Sequence, residues 1–278
     1  MAAAVSFGSW ESRKRMSERD EIATANERLW EREVEKGCSY TVPWLDLDPE
    51  IIRKYARGTL ESAPEPLTVM SPHEVLADVE GRDVLCLACG GGQQSAVFSL
   101  LGACVTVLDL AQGQLQRDRE AAAHYGYEVR TIHGDMRDLS PLDEESFDVV
   151  YGTALAYVPD AREVYRQVAR VLRPGGLYRT DCEQPAIRFL TWDGSGYRIS
   201  KPYIEKIERR EDGGIEFRHY IDDIFNGLLE VGLSIRQVED LSRDVKPDAE
   251  APPGTWNHVR TYVGGYFVVV AEKRRSPS

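Results

Sequence analysis

The segment Ala88-Cys89-Gly90-Gly91-Gly92-Gln93-Gln94 is the part of this chain best suited to chemistry. It follows a continuous apolar run, Val84-Leu85-Cys86-Leu87, and precedes a helical pattern. Glycines let a backbone approach a ligand closely, and a helix N-terminus adds free N–H donors. Asp109 stands 19 residues after Gly90, at the tip of the next apolar run, Val105-Thr106-Val107-Leu108. A carboxylate at such a tip can accept both hydrogen bonds of a ribose diol. Together the turn and the acid point to an adenosine-type cofactor. Three classes share that feature: NAD(P), flavin and S-adenosylmethionine. The dinucleotide pattern G-x-G-x-x-G/A meets Ser95 at its third position and matches imperfectly. No Gly-Lys-Ser/Thr follows the turn, which excludes a P-loop.

The elements that must position these residues alternate. The runs ending at Cys89 and Asp109 read as strands buried on both faces. A helix follows the glycine turn to about residue 101, another spans 115–125, and a third strand covers 128–132. Phe147 to Tyr151 is a fourth strand. Val164, Val168, Val171 and Leu172 mark a helix face closed by the turn Arg173-Pro174-Gly175-Gly176, and Leu177 to Thr180 is a fifth strand. Such alternation predicts an α/β fold with an open, doubly wound parallel sheet. Residues 185–216 interrupt it and read as a hairpin insertion; residues 217–231 form a helix, and late strands lie at 233–238 and 266–270 with a loop between them. At the N-terminus, residues 1–16 read as a tail, a helix opens at Ser17 and stops at Gly37, and Asp48-Pro49 opens a short helix. This divides the chain into a tail and helical lid over 1–80 and a Rossmann-like domain over 81–278.

Composition narrows the partners. The 278 residues carry 34 Lys and Arg against 46 Asp and Glu, a net charge of −12. That balance disfavours nucleic acid and anionic lipid, whose binding rests on basic side chains. No run approaches the ~18 apolar residues of a membrane span. The five cysteines are an odd count without a secretory leader, which suggests a reducing cytoplasm. Cys86-Leu87-Ala88-Cys89 is formally C-x-x-C, but its first thiol falls inside a buried strand, so packing outweighs redox chemistry. No metal-ligand spacing appears, so no metal is expected.

Val84 to Gly92, Val107-Leu108-Asp109, His133-Gly134-Asp135-Met136, Phe147-Asp148-Val149-Val150 and Leu172 to Gly176 resemble, in order and spacing, the motif set of class I S-adenosylmethionine-dependent methyltransferases. The likeness covers about residues 82–182 and is greatest to a bacterial small-molecule branch. It implies a seven-stranded Rossmann-like sheet with one antiparallel strand and S-adenosylmethionine as cofactor. It also implies roles: Ala88, Cys89, Gly90, Gly92 and Gln94 around the methionine part, Asp109 on the ribose, Leu110 against the adenine, and Asp135 and Met136 at its edge. Gln114 is added from the following helix, and Gly152 and Thr153 would lie beneath the sulfonium. The chain departs from the family at Cys86, where most members carry an acid, and at Ala88, where most carry glycine.

On the acceptor side the candidates are Tyr157, just after the fourth strand, and His219, near the helix that follows the insertion. Tyr40 and Trp44 are expected as aromatic lid contacts, because aromatic faces attract a sulfonium. An acidic chain with a two-part lid favours a small-molecule acceptor. Two other activities fit the residues less well: cleavage of the cofactor's own aminobutyrate chain with release of methylthioadenosine, and a nicotinamide-dependent oxidoreduction. The sequence leaves the acceptor and the oligomeric state open.

Overall fold

The computed structural model describes residues 7–152, 154–243 and 250–275, with side chains from Glu21 onward. Its centre is a seven-stranded sheet in the order β10-β11-β5-β4-β1-β2-β3. The strands are β1 (Asp83–Leu87), β2 (Cys104–Asp109), β3 (Val129–His133), β4 (Phe147–Gly152), β5 (Leu172–Glu183), β10 (Leu233–Asp240) and β11 (Tyr266–Lys273). β1 pairs in parallel with β2 and β4, and β11 is antiparallel to both β5 and β10, so it alone reverses direction in this sheet. The apolar run of β1 is explained by its position: Val84 and Cys86 face one core, Leu85 and Leu87 the other. The strand order reverses at β1, and the crevice at such a switch point is where open α/β sheets bind ligands.

Helices cover both faces. On the first lie α2 (Pro49–Ala56), α3 (Gln94–Leu100) and α4 (Gln112–Tyr125); on the second lie α5 (Ala161–Val171) and α6 (Ile221–Glu230). Asp48 caps α2, its Oδ1 accepting the Glu50 N–H at 2.7 Å, with Pro49 preset for the first turn. Much of the segment assigned to the lid is therefore core: Leu47, Ile52, Leu67, Met70, Val75 and Leu76 are buried against the sheet.

Several expectations change. Helix α1 spans Phe7–Lys36, so residues 7–16 continue the helix expected to begin at Ser17; they contain no proline and are rich in residues that favour helix. The Arg173–Gly176 turn lies inside β5 as a register shift, with Phe147 opposite Leu172 and Val149 opposite Leu177. Residues 185–216 hold two hairpins, β6 (Leu190–Trp192) with β7 (Tyr197–Ile199), and β8 (Ile207–Arg209) with β9 (Ile215–Phe217). Helix α6 begins four residues later than expected, and α7 (Trp256–Val263) occupies part of the loop before β11. No helix among the described residues is long and apolar enough to cross a membrane.

Candidate functional site

The carboxyl ends of β1, β2 and β3 open into a partly open cleft. Ala88, Leu110, Gly134, Asp135, Met136 and Arg137 form its floor and wall, and Tyr157 and Val158, just beyond β4, close one side. Ile22, Ala23 and Asn26 of α1 form the roof. The structure thus brings Ala88, Leu110, Asp135, Met136 and Tyr157 together around one space, as strand-end positions in this topology must be.

Ala88 holds φ +51°, the left-handed region usually reserved for glycine, while its N–H continues the sheet by donating to the Leu108 carbonyl at 2.8 Å. Asp109 ends β2 and is 7% exposed. One of its oxygens accepts the Gly90 N–H and the other the Ala111 N–H, both at 3.0 Å. Burial raises its pKa, and the two backbone donors oppose that rise. A Cβ at Gly90 would lie 2.8 Å from the Gln114 Cβ and 3.1 Å from the Asp109 carboxylate, so only glycine allows this approach.

Gly91 and Gly92 are required for a different reason. A Cβ on Gly91 would meet the Tyr40 carbonyl at 2.9 Å, and one on Gly92 would meet the Arg117 carbonyl at 2.5 Å and Pro43 at 2.8 Å. The chain's own segment 39–44 lies along the turn. The Gln93 amide donates to the Ser39 and Val42 carbonyls, each at 2.7 Å, and the Trp44 N–H donates to the Gly92 carbonyl at 3.2 Å.

That placement alters two expectations. The Tyr40 side chain is 64% exposed and does not line the cavity. The Trp44 side chain packs against the first core, beside the sheet. Backbone contacts bring both residues to the turn; Trp44 packs on the body of the protein and the Tyr40 side chain stays exposed. Trp44→Ala is accordingly expected to cost about 2 kcal/mol of stability, below the ~3–5 kcal/mol of a fully buried tryptophan because the ring is only partly buried, with little change in cofactor affinity. Thermal melting and calorimetric titration of one sample check both parts.

His219 also lies apart from the cavity lining. It is buried, its Nε2 donates to the Leu155 carbonyl at 2.8 Å, and burial lowers its pKa from 6.5. Because the folded state resists protonation, its contribution to stability is present above about pH 6.5 and is lost as pH falls below that value. His219→Gln keeps a donor and does not titrate. It is expected to flatten the decline in melting temperature between pH 7 and pH 5.

Gly152 ends β4 with Tyr178 beneath it, and Thr153 lies outside the described residues. Cys89 is buried with its thiol on the Tyr151 carbonyl at 3.4 Å. Burial, with the Glu216 carboxylate nearby, pushes the Tyr157 phenol far up, so it is protonated at neutral pH. Sequence reasoning missed Asn26, whose Oδ1 accepts the Ile215 N–H at 2.8 Å while its amide donates to the Ile215 and Tyr157 carbonyls at 3.0 and 3.4 Å. It also missed Asp118, which lies beneath the glycine turn. Asn26 and Trp30, whose ring meets Tyr157 edge-on at 5.7 Å, are separated by the i, i+4 spacing of one helix face.

The turn is lined with acids. The Gly90 N–H is taken by Asp109, the Gly91 N–H by the Gln114 carbonyl and Asp118, and the Gly92 N–H by Asp118. Two carboxylates hold the donors that a pyrophosphate would need, which disfavours a dinucleotide.

Comparisons with known proteins agree. Residues 84–176 match the methyltransferase domain family. The chain is 29% identical over 229 residues to the "Uncharacterized methyltransferase YbaJ" of Bacillus subtilis, covering 77% of this chain and 88% of that protein. The chain carries a methyltransferase domain. Two solved structures share its fold. An S-adenosylmethionine-dependent methyltransferase from Mesorhizobium loti matches with TM-score 0.60 and 24% identity, over 76% of this chain and 98% of that one. Geranyl diphosphate C-methyltransferase from Streptomyces coelicolor, solved with Mg2+, geranyl diphosphate and S-adenosyl-L-homocysteine, matches with TM-score 0.61 and 15% identity, over 91% and 97%.

The site's chemistry fits S-adenosylmethionine, on which the first of these two structures depends. The Oε1 atoms of Gln94 and Gln114 are buried acceptors with no hydrogen-bond partner among the described residues, next to a turn that carries negative charge. Such a site suits a cofactor with donors and positive charge and without phosphate. Among the described residues no cluster of His, Cys, Asp and Glu could hold a metal ion.

Proposed function

We propose that this methyltransferase transfers the methyl group of S-adenosylmethionine to a small-molecule acceptor beneath a roof made of α1 and the β8–β9 hairpin. The observation that supports this most is the double tie of Asn26 to Ile215, which joins the two segments over the cavity. Arg32 adds a bond to the Asp212 carbonyl in the hairpin turn. Glu31 accepts the Gly113 N–H at the start of α4, and Glu27 reaches His133 at 3.1 Å. A roof held at four places covers the cleft, and a net charge of −12 adds no attraction for nucleic acid.

When bound, S-adenosylmethionine supplies an electrophilic methyl group on a sulfonium. In our reading Asp109 would hold the ribose, Leu110 and Met136 would contact the adenine, and Asp135, fixed by Arg137 Nε at 2.9 Å, would read its edge. Ala88, Cys89, Gly90, Gly92, Gln94 and Gln114 would frame the methionine part, with Gly152 below. The roof excludes water from the reacting centre. The protein's contribution is orientation and desolvation, with Tyr157 as a fixed donor at the wall.

Labelled S-adenosylmethionine incubated with fractions of a cell extract tests this reading. Label is expected in the low-mass fraction together with S-adenosylhomocysteine. Label confined to protein or nucleic acid, or methylthioadenosine formed without any acceptor, would overturn it.

A further inference from the structure

Asp118 is a buried carboxylate to which the mechanism above gives no role. It sits on the inner face of α4 at 0% exposure, with Leu115 and Ala121 buried on the same face. Its oxygens accept the Gly91 N–H at 3.2 Å, the Gly92 N–H at 3.1 Å and the Ser95 hydroxyl. Both glycines have positive φ, +114° and +71°, a conformation with many alternatives in a free chain. Asp118 therefore grips the turn at its two positive-φ glycines and ties it to α3 through Ser95.

We propose that Asp118 is the positioning residue of the cofactor site: from α4 its carboxylate fixes Gly91 and Gly92, and so sets the turn that Ala88, Cys89 and Gly90 present to S-adenosylmethionine. The proposal rests on the assignment of this turn to the cofactor. Asp118 acts through the backbone and touches neither cofactor nor acceptor.

The charges around Asp118 give the proposal a signature. Asp109 faces it from β2, the Cys89 thiol from the turn, with Cys86 beside that thiol, and Tyr127 from beyond α4; Ser95 is its polar neighbour on α3. None of these is a cation. Burial pushes Asp118 up to about 7, while the Ser95 hydroxyl and the two backbone donors pull the other way. The protonated form loses acceptor capacity toward the glycine N–H groups and loosens the turn. A cofactor carrying a sulfonium and an ammonium favours the ionised form. Binding below pH 7 should then expel a proton from Asp118, and affinity should rise as pH increases through about 7. The stability of the cofactor-free protein should move oppositely, because a carboxyl with a raised pKa stabilises the fold most at low pH and loses that contribution as pH rises through about 7.

Calorimetric titration of the full-length protein with S-adenosylmethionine, at pH 6 and pH 8 in buffers of different ionisation enthalpy, tests this. The wild type is expected to release a proton at pH 6, and Asp118→Asn to release less and bind about 10- to 100-fold more weakly at pH 8, the loss of charge-assisted bonds to two backbone donors. Ser95→Ala keeps the carboxylate but removes a partner that lowers its pKa, so it should shift the affinity midpoint to higher pH; this arm decides the matter if Asp118→Asn does not fold. Wild-type affinity and proton release in Asp118→Asn, or an unmoved midpoint in Ser95→Ala, would overturn the proposal while leaving the cofactor assignment standing. A wild type that binds no S-adenosylmethionine at either pH would overturn both.

Discussion

Asp109→Ala is expected to weaken S-adenosylmethionine binding by roughly 5- to 150-fold, equivalent to about 1–3 kcal/mol for buried groups left without a partner. The carboxylate has two tasks. In the cofactor-free protein it holds the Gly90 and Ala111 N–H groups at 3.0 Å and so joins the glycine turn to the start of α4. A carboxylate has more acceptor sites than these two bonds use, so it can also receive ribose hydroxyls. The alanine variant orphans the backbone donors as well as the ribose, which places the effect toward the upper end of the range. Equilibrium dialysis on a variant shown to be folded by circular dichroism measures it, and an unchanged dissociation constant would remove Asp109 from the site.

Asn26→Leu is expected to have the largest structural effect. It is nearly isosteric but leaves the Ile215 N–H, the Ile215 carbonyl and the Tyr157 carbonyl without their side-chain partner. Each buried orphan costs about 1–3 kcal/mol, so a total near 3 kcal/mol is a conservative sum. At about 2–4 °C per kcal/mol for a chain of this class, the melting temperature should fall by roughly 6–12 °C. Turnover should fall further than cofactor affinity, because the roof and the Tyr157 wall separate while the glycine turn stays intact. A variant with wild-type melting and wild-type kcat would show that α1 and the β8–β9 hairpin do not depend on this tie.

The central fold was legible because buried parallel strands carry an unmistakable composition. Val84–Leu87 and Val105–Leu108 are apolar because both faces are covered, and once these strands are placed the topology fixes what lies at their tips. Asp109 and Tyr157 follow from that placement, whereas Leu110, Asp135 and Met136 came from the likeness to the methyltransferase motif set. The roof was harder to read. Asn26 is one polar residue in a helix of mixed charge, and its partner Ile215 is 189 residues away. Asp118 stands between Arg117 and Arg119, where a solvated charge run is the natural reading. Its signal was positional: it falls three residues after Leu115 and three before Ala121, on the apolar face of α4. Trp44 and His219 were overvalued for chemistry because aromatic and imidazole side chains are equally at home in a core, and sequence spacing does not separate the two uses. The glycines of the turn show the same ambiguity: Gly91 and Gly92 admit the chain's own segment 39–44 and α4.

In our reading the cleft between α1 and the carboxyl ends of β1, β2 and β3 is the cofactor site. A crystal structure with S-adenosylhomocysteine tests it most directly. The ribose hydroxyls are expected on Asp109, the adenine between Leu110 and Met136, and the sulfur facing Tyr157 beneath the α1 roof. Density for the nucleoside anywhere else, with this cavity filled only by solvent, would contradict it.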